Sequence, residues 1–407
     1  MPHDPRRRAA VWLAIAAVAV FLTVVLLRAF VGDLYRVDTG SMRPTIQAGD
    51  GRSEWVLVLH GAPDPLRRFD LVVVRDPETG DALVKRVGGL GGESVEIVDG
   101  DMLVDGQRLA PDVPRPPPVP IFDSEHHVMG DYFFFRSTPP GAWTLAGRGA
   151  HLDALDVSPG SESGMMFFQK PLFDDRLDPD GARVPGTLHV NDAMLWVDVE
   201  LLAIRDGGAF RLRLVESGDT FEADFERGES DAQGNGLAVT RLLRRPGADG
   251  GADDELARAE LRWRVGERIE LRFANVDNHL SLWARRGSTW APVAAASYGE
   301  NRPYRGMTAT DGRAIGPRVG FGASGGDLVV HRVRLFRDVA WFHQGSFGVD
   351  RPLFLGPDEL FVLGDDSAHS RDSRHFGPLE RDAVLGRPIA ILWPWAHIRT
   401  FASPLPW

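Results

Sequence analysis

No cysteine occurs anywhere in the 407 residues. That removes disulfide bridges, thiolate metal sites and a cysteine nucleophile, and it leaves the redox compartment open. Lysine is almost as scarce: among 46 basic residues only Lys85 and Lys170 are lysines, and the rest are arginine. No long basic stripe is present, and with 57 acidic residues the net charge is −11. Such a chain offers little to neutralise a phosphate backbone, which argues against nucleic acid as a partner. Its length allows two or three ordinary domains and excludes a single small module.

The two lysines pose a chemical question, because arginine keeps its proton near neutral pH whereas lysine can lose it. In a chain that meets its charge requirements with arginine, a retained lysine is either another solvated cation or a base. Both readings stay open until context is considered.

One long apolar run does occur. Residues Ala9 to Leu27 carry no charge, follow Arg6, Arg7 and Arg8, and precede Arg28. At about 1.5 Å per residue, a helix of this length crosses roughly 30 Å of hydrocarbon. The pattern predicts a single-pass transmembrane helix over residues 9–30, with a basic tail (1–8) in the cytosol and everything after it on the extracytoplasmic side of the cell membrane. A cleaved secretory signal is the competing reading. The run exceeds a usual signal core, however, and no clear small-x-small site follows it.

Beyond the anchor the pattern is mainly β. EWVLVLH, FDLVVVRD, ALVKRV and ESVEIV read as short strands between Gly, Asp and Pro punctuation. A proline-rich stretch at 111–120 then marks a boundary, since it lacks the donors for a sheet ladder. After it, LWVDVELLAI, AFRLRLV, TFEADFE, ELRWRV, RIELRFANV, HLSLWARR and DLVVHRVRLFRDV alternate with period two, and VDNH suits a hairpin connection. The count and spacing predict a β-sandwich or jelly roll. RRPGADGGADDELARAE reads as a surface loop without the spaced ligands of a calcium site. After Trp341 the pattern returns to the strands and turns of another sheet.

Two local signals are set aside. Gly320, Gly322 and Gly325 satisfy a G-x-G-x-x-G spacing, but an alternating strand follows them where a dinucleotide site needs a helix N-terminus. His126 and His127 are adjacent, so in a strand they would leave opposite faces and could not readily share a metal. No cofactor and no metal ion is implied.

Three separated segments carry chemistry. Ser41 lies in DTGSMRPTIQAGD, a Gly- and Pro-shaped turn that by itself is ordinary. Lys85 lies in ALVKRVGGLGGESVEI, among apolar neighbours that can desolvate an ammonium. A neutral amine can serve as general base for a serine without histidine or aspartate. Lowering its pKa from about 10.4 to near 8 requires roughly 3 kcal/mol, within reach of partial burial. The third segment, LGDDSAHSRDSRHFG, carries Ser370, Asp372, Ser373 and Arg374. It reads equally as a hydrogen-bonded turn or as a set of groups orienting the base.

Together with the anchor, GSMRPTI, FDLVVVRDP followed by LVKRVGGLGGESVEI, and LGDDSAHSRDSRHFGPLE followed by VLGRPIAILWP resemble the type I signal peptidases. These are membrane-bound Ser-Lys serine proteases of protein secretion that remove signal peptides. The resemblance implies an antiparallel β catalytic domain in two parts, 31–120 and 343–407, split by an inserted domain at 121–342. The insert's strand pattern is similar to concanavalin-like, laminin-G-type sandwiches. The resemblance makes Ser41 the nucleophile and Lys85 its base, with Thr39 joining the Ser41 amide in holding the oxyanion. Ser370 would position the lysine. Arg86, Asp365, Asp372 and Arg374 would be structural pairs supporting the site. The implied partners are signal peptides of exported preproteins and the membrane, with a glycan or protein as a possible ligand of the insert.

Departures from the family pattern occur at Asp38, often Pro; at Gly91, usually Pro; at Asp366, usually Asn; and at His375 and Phe376, which displace a Trp or Tyr. They leave the Ser-Lys pair intact and bear on loop geometry. Two alternatives stand beside the peptidase. One is a membrane-anchored binding protein whose sandwich works and whose peptidase frame is inert. The other is a self-cleaving repressor-type Ser-Lys protease, against which the anchor and the lack of a DNA-binding element speak.

Overall fold

In the computed structural model the described residues are 12–18, 22, 32–98, 100–135, 142–158, 161, 164–190, 192–216, 218–227, 236–246, 252–299 and 319–401. Residues 12–18 are helical, with Trp12, Leu13, Ile15 and Val18 exposed. Most of the expected anchor lies outside the described residues, and among these no helix is long and apolar enough to cross a membrane. The chain divides into two compact units. One comprises Met1–Val98, Met102–Arg115 and Trp341–Pro406, and the other comprises Asp99–Asp101, Pro116–Ala340 and Trp407.

The first unit is built on an antiparallel sheet. Its order is Gly32–Val37, Glu54–His60, Val384–Trp393, Leu71–Arg75, Ala82–Gly89, Glu359–Leu363 and Leu379–Glu380. Val384–Trp393, from near the end of the chain, is the strand that joins Glu54–His60 to Leu71–Arg75. Leu71–Arg75 explains its own unbroken apolar run. Leu71 and Val73 join one core cluster with Met42 and Ile46, while Val72 and Val74 join another with Val87 and Val362. A strand covered on both faces has no solvated side to mark with polar residues. A smaller sheet pairs Leu353–Phe354, Ser94–Val98, Asp101–Val104 and Gln107–Arg108.

Among the described residues the second unit is built on a branching system of thirteen strands, with a separate two-stranded pair, Arg176–Leu177 and Arg183–Val184. Its spine is Ala193–Glu216, twenty-four residues that the sequence suggested as two strands, running antiparallel to Val319–Arg337. Register shifts between Asp198 and Ala209 divide the spine into two limbs. The first half pairs with Arg268–Val276 and the second with Asp219–Glu226. Bulges bend strands and re-aim them, which lets one long strand serve both limbs. Phe210, Phe225 and Trp263 fill the core of one limb.

The VDNH segment is a two-residue hairpin in which Asp277 and Asn278 both adopt positive φ, 49° and 59°. Those dihedrals are what a tight antiparallel hairpin demands. Gly320 and Gly322 lie inside the Val319–Arg337 strand. A Cβ at Gly322 would come within 2.1 Å of the Gly164 carbonyl, so close strand approach accounts for this glycine. Of the acidic tract after Arg245, read as a surface loop, residues 247–251 lie outside the described residues, and only its last part departs from that reading. From Asp254 onward it is strand Asp254–Arg264, paired with Gly236–Arg245, its charges alternating outward.

Candidate active site

Ser41 sits at the head of a tight turn in which the Arg43 amide donates to Gly40 (3.0 Å) and the Ile46 amide to Met42 (2.8 Å). Met42 and Ile46 are buried in the core, which pins the turn while leaving Ser41 partly exposed. Lys85 lies on the Ala82–Gly89 strand opposite Val72. Its Nζ is 2.9 Å from Ser41 Oγ and 3.3 Å from Ser370 Oγ. Only 2% of the side chain is exposed. Burial lowers its pKa to about 8; the Asp372 and Asp365 carboxylates pull it up, while the Arg374 and Arg371 charges push it further down.

Arg86, the next residue, leaves the opposite face of the strand. It forms a two-pronged ion pair with Asp365 (Nε–Oδ1 2.7 Å, Nη2–Oδ2 2.6 Å) and donates to the Phe69 carbonyl (2.8 Å) and Thr45 Oγ1 (3.2 Å). Thr45 in turn donates to Asp365 at 2.5 Å, tying the serine turn to this buried pair. Arg374 is fully buried against Asp372, with Nε–Oδ1 2.9 Å and Nη2–Oδ2 2.8 Å. It also donates to Ser367 Oγ (2.6 Å) and the Phe342 carbonyl (2.9 Å), so its fork is well satisfied. Burial works to raise the Asp372 pKa, but the Arg374 hydrogen bond and charge, the Gly364 amide and Lys85 hold it below the usual carboxylate value.

Ser41, Lys85 and Ser370 are therefore brought together, and the four charged residues form two separate buried pairs around them. Thr39 is exposed and, among the described residues, its hydroxyl makes no hydrogen bond to Ser41, Lys85 or Ser370. Lys170 belongs to the other unit, its ammonium 4.1 Å above the Tyr132 ring.

The family departures have local explanations. A Cβ at Gly91 would lie 2.0 Å from the Pro357 carbonyl oxygen, so proline has no room there. Asp366 donates its backbone amide to the Ser41 carbonyl, and its carboxylate meets His369 Nδ1 at 2.9 Å. Asp38 is held by Arg36 (2.9 Å) and Ser53 (2.5 Å).

Three contributors escaped the sequence. Gly364 has no room for a side chain beside Ser370; Thr45 bridges the serine turn to Asp365; Arg371 binds Asp76. Arg371 stands between Ser370 and Asp372, and that adjacency was the one available signal. Elsewhere, Asp101, Asp192 and Asp338 bring carboxylate oxygens within 4.8 Å of one another. Burial, aided by the Asp338, Glu216 and Asp277 charges, pushes the Asp192 pKa well up, which favours a protonated carboxyl in this group.

A serine hydroxyl against a buried, readily neutralised amine in an antiparallel β frame is the arrangement of a Ser-Lys hydrolase. Sequence comparison agrees in class: the profile of the signal peptidase, peptidase S26 family matches residues 8–121 and 338–393. Signal peptidase I V of Bacillus subtilis is 31% identical over 121 residues, covering 30% of this chain and 68% of that protein. Signal peptidase I of Leptolyngbya laminosa is 32% identical over 108 residues, 24% of this chain and 52% of that protein. The chain belongs to the S26 signal peptidase family. It spans about half the length of several of these relatives.

Among solved structures, the CBM2 module of Lactobacillus casei BL23 phage J-1 evolved Dit aligns with 56% of this chain and all of its own, at 11% identity and a TM-score of 0.34. The VIP36 exoplasmic/lumenal domain aligns with 53% of this chain and 88% of its own, at 11% identity and the same TM-score. At that level the likeness carries no argument about the insert.

Proposed function

We propose that this protein is a signal peptidase I, a membrane-anchored serine endopeptidase that removes N-terminal signal peptides from exported preproteins. The observation that carries the reading is the 2.9 Å approach of Lys85 Nζ to Ser41 Oγ with the amine buried. At a pKa of about 8, roughly one amine in ten is neutral at pH 7, some three hundredfold more than for a free lysine.

In the neutral form the Ser41 hydroxyl donates to the amine's lone pair, and an amine N–H donates to Ser370 Oγ, which fixes the lone pair on the serine. Ser41 Oγ attacks the scissile carbonyl as its proton passes to Lys85 Nζ. The resulting ammonium delivers that proton to the leaving amine, giving an acyl ester on Ser41. Water then attacks the ester, with Lys85 accepting its proton, and the carboxylate product departs. The Ser41 backbone amide and the Thr39 hydroxyl would stabilise the tetrahedral oxyanion. Arg86–Asp365 and Arg374–Asp372 support the walls.

The apolar run at 9–27 supports a single-pass anchor with the N-terminus in the cytosol and the catalytic unit on the other side of the membrane. Small residues one and three positions before the cut are the expected preference. The test is cleavage of a purified preprotein by the wild type and by Ser41→Ala and Lys85→Arg variants. Both variants are expected to be inactive, and full activity in either removes the pair.

A further inference from the structure

In the Pro116–Ala340 unit, three neighbouring strands set Trp196, Arg272 and Trp283 in register across one sheet face. Trp290, on the following strand, Thr289–Ser297, leans over the same guanidinium. The Arg272 guanidinium carbon lies 5.5, 5.2 and 5.6 Å from the ring centres of Trp196, Trp283 and Trp290. Two neighbouring arginines also stack on these indoles, Arg334 on Trp196 at 4.5 Å and Arg285 on Trp290 at 5.2 Å. Both of those are neutralised by Glu270.

Arg272 is not. Among the described residues its guanidinium makes no hydrogen bond and no ion pair, and its Nε is buried without a partner. Burial alone acts on its pKa, lowering it, with no carboxylate opposing. Attraction to the indole faces offsets only part of the cost of such a charge. Nε is the one nitrogen of this guanidinium both buried and unpartnered, so Nη1 and Nη2 keep contact with solvent. The result is a planar fork that presents one end, Nη1 and Nη2, rimmed by aromatic rings.

A carboxylate matches that fork. The indoles beside it favour a ligand with flat apolar faces. A peptide could supply the charge, but it could not add as a strand beside Trp196, Arg272 or Trp283; of the four strands only Thr289–Ser297, which carries Trp290, is paired on one edge alone among the described residues. Ala193–Glu216, Arg268–Val276 and His279–Arg286 are each already paired on both edges. Recognition at this row runs through side chains alone. We propose that this face binds a chain of uronic-acid sugars, one carboxylate seated on the Arg272 fork and its sugar rings stacked against Trp283 and Trp290. The proposal is independent of the peptidase reading.

The test titrates the full chain with a galacturonic-acid hexasaccharide, with the same hexasaccharide fully methyl-esterified, and with poly-L-glutamate. Binding is followed by tryptophan fluorescence and calorimetry. The expected result is saturable binding of the acid hexasaccharide, at least tenfold weaker for its ester and for polyglutamate. Arg272→Gln and Trp283→Ala are each expected to weaken it tenfold or more with an unchanged thermal midpoint. Equal binding of the ester removes Arg272 from recognition, and equal binding of polyglutamate shows that charge alone is read. No binding by the wild-type chain leaves the row as a structural stack and overturns the proposal, whatever the variants do.

Discussion

The backbone amide of Asp366 donates to the carbonyl of Ser41 at 3.0 Å, joining two residues more than three hundred positions apart. That bond requires the chain before it to pass very close to the serine turn. A Cβ on Gly364 would come within 2.1 Å of Ser370 Oγ and 2.6 Å of the Ser41 carbonyl oxygen. Gly364→Ala is therefore expected to displace Ser370 or the serine turn. A shift of the order of 1 Å costs about a hundredfold in kcat/KM, and overpacking of this kind destabilises by about 1–3 kcal/mol. Cleavage kinetics and urea unfolding measure both, and wild-type turnover in this variant would show that the close approach does not matter.

Lys85 dictates a pH dependence for the proposed reaction. With its pKa lowered to about 8, chiefly by burial, the neutral amine accumulates as pH rises through that value. The rate with a peptide substrate should climb tenfold per pH unit below about pH 8 and level off above it. Lys85→Arg should be inactive at every pH, since arginine does not release its proton. A rate that is flat between pH 6 and 9 is incompatible with this base.

The same shift affects stability. Between the folded-state pKa, about 8, and the higher value of the unfolded chain, the unfolded state binds the additional proton, so stability rises with pH across that window. Below pH 8 the fold carries a constant penalty of about 3 kcal/mol for charging the buried amine. Lys85→Met removes it. Chemical denaturation should find the variant more stable than wild type at pH 7, by an amount that shrinks towards pH 10. A difference independent of pH would mean that the amine is not charged against its surroundings.

Much of the fold was legible because strands advertise themselves by alternation, and the segments around Ser41, Lys85 and Ser370 were legible by their wording. Partner choice was not. Arg86 finds Asp365 across 279 residues, whereas Arg374 finds Asp372 two residues away, and composition treats the two arginines alike. The two strands read as LWVDVELLAI and AFRLRLV proved to be one, because bulges interrupt the periodicity without ending the pairing. The Asp254 strand was hidden by its charges, which suit an exposed strand face as well as a loop. The Arg272 row could not be seen, since its members lie on separate strands and meet only through register.

Arg371 offers a separation of charge from scaffolding. Its guanidinium pairs with Asp76 and with Glu78 (2.6 Å) and lies 5.4 Å above the Phe376 ring. Asp76 also accepts the Glu78 and Thr79 amides at 2.9 and 3.3 Å, so Arg371 clamps the turn that leads into the lysine strand. Its positive charge is one of those pushing the Lys85 pKa down. Removing that charge should move the rising limb of the pH–rate profile to higher pH. Arg371→Ala is expected to lose about twofold in kcat/KM at pH 7, as befits the smallest of the charges acting on Lys85, and to recover most of it near pH 9.5. Arg371→Lys keeps the charge and should leave the limb in place, even where it loosens the clamp. If both variants lower the rate by the same factor at every pH, Arg371 acts only as a brace and contributes nothing to tuning the base.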